Sequence, residues 1–122
     1  MALRVMVVDD AIFMRNILKD IFVRNGYEVI AETDNGEAAL QLYQDTRPDL
    51  VTMDIVMPKK SGIEALQEIM EDDPQACVVM VSALGQDSLV LEAVESGARD
   101  FIVKPFKEEK VLETVRRVTG QD

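Results

Sequence analysis

The sequence contains no histidine, and Cys77 is its only cysteine in 122 residues. A lone cysteine cannot close an internal disulfide, and without an imidazole to activate it Cys77 is not a nucleophile of the cysteine–histidine kind. Its place in the apolar run "CVVMVS" marks it as a buried thiol. The chain also lacks an uninterrupted apolar run long enough to cross a bilayer, and a leader with a basic start and small-residue cleavage site. A cytoplasmic location is therefore expected. Basic residues are in deficit: 13 against 23 acidic ones, a net charge of −10. That charge repels phosphate backbones and anionic lipid, which argues against nucleic-acid and membrane partners. No glycine-rich loop of the phosphate-cradling kind is present, so a bound nucleotide is not implied.

What is present is a regular alternation. Short β-branched runs exchange with longer segments of helical period five times, the pattern of βαβ units and a parallel sheet. The length suits one domain. "LRVMVV" is the first strand, and the helix after it carries Met14, Ile17, Leu18, Ile21 and Phe22 on one stripe before Gly26 stops it. "YEVIAET" follows, then a helix capped by Asn35 that turns Ala38, Ala39 and Leu42 inward and ends at Arg47-Pro48. After "DLVTMD", Ser61 and Glu64 have the spacing of a capping box for a helix burying Ile63, Leu66, Ile69 and Met70. "CVVMVS" leads to a helix from about Asp87 to Ser96 stopped by Gly97; "DFIVK" leads through Pro105 to a last helix over 107–118. The first, third and fourth strands are nearly all apolar and should be central. Glu28 and Glu32 interrupt the second, an edge strand. The expected fold class is α/β, a single doubly wound (βα)5 flavodoxin-like fold with sheet order 2-1-3-4-5 and helices on both faces.

The segment "VTMDIVMPKKSG" poses the functional question, because a buried strand ends on a carboxylate, Asp54, that an apolar setting cannot tolerate without a partner. In the expected sheet Asp9-Asp10, Asp54, Ser82 and Lys104 all fall at carboxyl ends of strands, on the rim where doubly wound folds bind ligands. Each residue alone has a plain structural reading: a cap, a turn, a snorkelling amine. Together the three aspartates repel one another, and a divalent cation with hard oxygen ligands, Mg²⁺ above all, relieves that repulsion. Beside Mg²⁺ an aspartate can take up a phosphoryl group, with Lys104 and a Ser82 hydrogen bond stabilising its oxygens. The bland alternative is a closed ion-pair cluster of Lys104 with the aspartates.

The motifs "VVDDA", "DLVTMDIVMPKKSG", "VMVSALG" and "DFIVKPF" resemble those of two-component response-regulator receiver domains along the whole chain, most of all the standalone chemotaxis regulators. That family has the sheet order given above, so the two expectations are not independent. The resemblance implies that Asp54 is the phosphoacceptor; that Asp10, Asp54 and the Val56 backbone carbonyl bind Mg²⁺ with Asp9 assisting indirectly; and that Ser82 and Lys104 contact the phosphoryl group. It further implies a cis Lys104–Pro105 peptide bond and a switch in which Ser82 and Phe101 move. The face of the fourth helix, fifth strand and fifth helix would be remodelled for an output partner. Partners implied are a chemotaxis histidine kinase as phosphodonor, a flagellar motor switch protein as output, and a phosphatase. The receiver domain is expected to span residues 1–122 as a monomer with no output domain, catalysing only its own phosphorylation and dephosphorylation.

Two positions depart from the family pattern. Phe101 stands where many relatives carry tyrosine, and Val56 can offer only its carbonyl. Other readings are a receiver of a non-motility phosphorelay, the receiver fragment of a transcription regulator, and a Mg²⁺-dependent phosphohydrolase with an aspartyl nucleophile. The last resembles the haloacid dehalogenase group, which needs an acid where Val56 stands. A flavin-binding flavodoxin-like protein would need a hydroxyl-rich loop where Asp9-Asp10 lies.

Overall fold

The computed structural model describes residues 2–121. Five strands and five helices alternate: β1 (Arg4–Val8), α1 (Ile12–Arg24), β2 (Glu28–Thr33), α2 (Ala39–Thr46), β3 (Leu50–Asp54), α3 (Gly62–Asp72), β4 (Val78–Ala83), α4 (Asp87–Glu95), β5 (Asp100–Lys104) and α5 (Glu108–Thr119). All strand pairs are parallel and the order is β2-β1-β3-β4-β5, as expected from the apolar content of the strands.

The core divides by strand parity. Met6, Val8, Val51, Met53, Val78 and Met80 pack on one face with Ala39 and Tyr43 of α2, Ile63, Leu66 and Ile69 of α3 and Ala93 of α4. Val5, Val7, Leu50, Val79 and Ile102 pack on the other with Leu18, Ile21 and Phe22 of α1 and Val111, Leu112 and Val115 of α5. Successive side chains of a strand point to opposite faces, so this assignment fixes where each strand's last residue must project. No helix among the described residues is long and apolar enough to cross a membrane.

Local signals act as their chemistry dictates. At the end of α1, Gly26 (φ 87) accepts the left-handed turn, while its N–H donates to Val23 and that of Tyr27 to Phe22. The α3 capping box forms in both directions between Ser61 and Glu64. Three expectations need correction. Asn35 does accept the Ala38 N–H at 3.0 Å, but it closes a tight turn, and α2 begins only at Ala39. Ala38 is consequently exposed, and Tyr43 takes the inward position. Cys77, just before β4, is only half-buried, with its Sγ 3.8 Å from the Val118 carbonyl oxygen.

Candidate functional site: an acidic pocket at the carboxyl edge

Parity places Asp9, Asp54 and Lys104 on the α1/α5 side of the sheet: Asp9 follows Val5 and Val7, Asp54 follows Leu50, and Lys104 follows Ile102. They meet there. The Lys104 Nζ lies 3.3 Å from an Asp9 carboxylate oxygen and 3.6 Å from one of Asp54. Asp10, two residues beyond the strand, joins them, and carboxylate oxygens of Asp9, Asp10 and Asp54 all lie within 4.8 Å of one another. Asp9 and Asp54 are buried, whereas Asp10 is open to solvent.

One amine cannot neutralise three carboxylates. The imbalance shows in Asp54, whose carboxyl is pushed up to about 6: burial is the main cause, the Asp9 and Asp10 charges add to it, and Lys104 only partly opposes them. Asp9 is already engaged, one oxygen accepting the Ala11 N–H at 2.9 Å and the other facing Lys104. Asp54 is thus only partly offset by Lys104, and Asp10 has no ion-pair partner among the described residues. Val56 follows just after the strand with its side chain 55% exposed, and among the described residues its carbonyl accepts no hydrogen bond. The donor set is therefore hard oxygen, anionic and short of positive charge, which fits a small divalent cation.

Ser82 obeys the opposite parity, following Val78 and Met80 toward α4. Its hydroxyl is buried and, among the described residues, has no hydrogen-bond partner, so it has a donor to give. On the same face of β5, Phe101 is 38% exposed and lines, with Ser82, Leu84, Val90, Leu91 and Val94, a groove of about 380 Å³ between β4, β5 and α4. The Lys104–Pro105 peptide bond is cis.

Two contributors escaped the sequence reading. Arg15 donates from Nη1 to the Asp9 carbonyl at 2.7 Å and is held by Glu32 of β2 through Nε at 3.1 Å. It anchors the main chain at the pocket's edge. A charged residue one turn into α1, facing an acidic edge strand, was the available signal. Gly62 is the second: a Cβ there would sit 1.9 Å from the Asp54 carbonyl oxygen, so only glycine lets α3 start so close to the strand end.

A family model described as "Response regulator receiver domain" matches residues 5–116. The chain belongs to the response-regulator receiver family. Among curated proteins this receiver domain is 54% identical to the chemotaxis protein CheY of Bacillus subtilis over 96% of the chain and 98% of that protein, and 50% identical to CheY of Thermotoga maritima over 98% and 99%. Among solved structures, a chain of the CheX–CheY–BeF3–Mg²⁺ complex from Borrelia burgdorferi aligns at TM-score 0.91 and 42% identity over 95% of this receiver and 88% of that chain. The response-regulator domain of Thermotoga maritima CheB aligns at TM-score 0.90 and 36% identity, covering 100% and 99%.

Proposed function

We propose that this receiver is a chemotaxis signalling switch that Asp54 phosphorylation turns on, with a histidine kinase as phosphodonor. The observation that carries the reading is the meeting of Asp9, Asp10 and Asp54, with a single lysine, Lys104, pairing with Asp9 and Asp54. Asp10, Asp54 and the Val56 carbonyl would hold Mg²⁺, with Asp9 acting through Lys104 and solvent. Bound there, the cation would offset charge on the phosphoryl oxygens. A carboxylate oxygen of Asp54 bonds to phosphorus as the donor's nitrogen–phosphorus bond breaks, the electron pair leaving with the imidazole. Lys104 neutralises one phosphoryl oxygen, and the partnerless Ser82 hydroxyl donates to another.

Ser82 thereby moves toward the pocket and Phe101 turns into the space behind it, reshaping the groove against α4. A partner that prefers the reshaped groove is recruited; a flagellar motor switch protein is the output the CheY relatives favour, and a CheX-like phosphatase would reset the switch. With Val56 in the place of a second acid, hydrolysis of small phosphoesters is not part of this reading. Mass spectrometry after incubation with a small phosphodonor and Mg²⁺ tests it. One phosphoryl group is expected on the native chain and none on Asp54→Asn or in chelator; an unmodified native chain would sink the reading.

A further inference from the structure

The turn ahead of α2 contains Asn35-Gly36, and this glycine has no conformational reason to be one. Its φ is outside the left-handed region, unlike those of Gly26, Gly85, Gly97 and Gly120. The reason is room: a Cβ on Gly36 would stand 2.4 Å from the Lys60 carbonyl oxygen, 3.1 Å from its carbonyl carbon and 3.2 Å from its Cβ. The nearest two are main-chain atoms, which cannot swing aside as the tip of a side chain can. The backbone of the β2–α2 turn is therefore seated directly against the loop over 55–61 that links β3 to α3.

That loop is in need of a seat. Its ends are tied by the Gly62 N–H donating to the Ile55 carbonyl at 2.7 Å, and at its tip the Lys60 N–H donates to the Pro58 carbonyl at 2.8 Å. Lys59, between those last two, has φ 70. A non-glycine residue at positive φ inside a three-residue turn is strained and persists only where its surroundings leave it no alternative. Val56 lies at the start of the same loop, and Mg²⁺ accepts little deviation from ideal octahedral geometry.

We propose that Gly36 is a positioning residue for the acidic pocket: by lacking a Cβ it lets the β2–α2 turn brace the Lys60 carbonyl, which keeps the Val56 carbonyl where a divalent cation is bound. The ligand role of Val56 rests on the proposed function; the brace itself does not. The test compares the full chain with Gly36→Ala, Asn35→Ala and Gly26→Ala. Asn35→Ala keeps the glycine but removes the hydrogen bond to Ala38 that fixes its turn. It carries the test should Gly36→Ala fail to fold. Gly26→Ala puts strain at φ 87 with nothing within 4 Å of the new methyl, and so lowers stability without touching the loop.

In chelator, amide shifts of residues 56, 57 and 59–61 should change in Gly36→Ala and, less, in Asn35→Ala. Mg²⁺ affinity should fall about tenfold in the first and roughly two- to threefold in the second. Gly26→Ala should lower Tm and keep native Mg²⁺ affinity. Native loop shifts in both turn variants would overturn the proposal, as would a loss of Mg²⁺ affinity in Gly26→Ala equal to that in Gly36→Ala. If the native chain shows no Mg²⁺ binding that Asp54→Asn removes, the proposed function falls with the Val56 role, and the loop shifts in chelator still decide the brace.

Discussion

The Asp54 carboxyl carries a penalty in the unphosphorylated pocket, and its sign can be worked out. Its pKa rises from the usual 3.8 to about 6, so the folded state binds this proton more tightly than the unfolded chain does. The resulting stability is fully present below about pH 4 and is lost as pH rises through about 6. A shift of that size corresponds to about 3 kcal/mol at most. In chelator, Asp54→Asn should therefore raise the denaturant midpoint at pH 7.5 and flatten the decline between pH 4 and 6; an unchanged pH profile would show that the carboxylate is not strained. Millimolar Mg²⁺ should narrow the gap between the two proteins by stabilising the native chain alone. Ser82 tells a similar story in a neutral group. Because its buried hydroxyl has no partner, Ser82→Ala should leave the stability of the unphosphorylated protein unchanged or raise it by about 1 kcal/mol. These side chains were legible because each ends an apolar run, where a charge or hydroxyl has no structural excuse. Arg15 and Gly36 were not, since both act through main-chain carbonyls of distant residues, Asp9 and Lys60, that leave no mark on composition or period.

At the scale of elements, the pocket is a consequence of strand parity. Asp9, Asp54 and Lys104 project toward α1 and α5 because the residues two before each do so, while Ser82 and Phe101 project toward α4. The strands were readable from β-branched runs, and α3 from its cap, because those signals lie within a few residues of what they control. The start of α2 was misjudged because Asn35, which accepts the Ala38 N–H, serves a single tight turn as well as it serves a helix. The α3 cap matters more than an ordinary one, since Ser61 also ends the loop that follows Asp54. Ser61→Ala should cost about 1 kcal/mol in denaturant unfolding. It should also weaken Mg²⁺ binding, which Gln67→Ala, farther along α3, should not do. Equal Mg²⁺ affinity in the two variants would separate the cap from the pocket.

Across the whole molecule, the proposed switch would make Ser82 the joint between two regions of opposite character. On one side is a pocket of carboxylates; on the other, an apolar groove whose Leu84, Leu91, Val94 and Phe101 are exposed in a chain of net charge −10. A surplus of negative charge opposes contact between copies of the chain, which offsets the tendency of exposed apolar side chains to promote self-association. The proposed coupling would need only two packings of Phe101 separated by a few kcal/mol, because a phosphoryl group on Asp54 would add about −1.5 to −2 charge for the Ser82 hydroxyl to answer. The two regions should therefore be separable by mutation. Phe101→Ala should accept the phosphoryl group to the native extent by mass spectrometry while losing most of the gain in partner affinity that phosphorylation gives. Ser82→Ala should lose that gain too, and should also take up the phosphoryl group more slowly, since it removes a donor from the pocket itself. A fluorinated phenylalanine at position 101 reports the intermediate step: its ¹⁹F resonance should shift on phosphorylation in the native background and stay put in Ser82→Ala. A resonance that moved equally in both would mean that the pocket reaches the groove by some route other than β4.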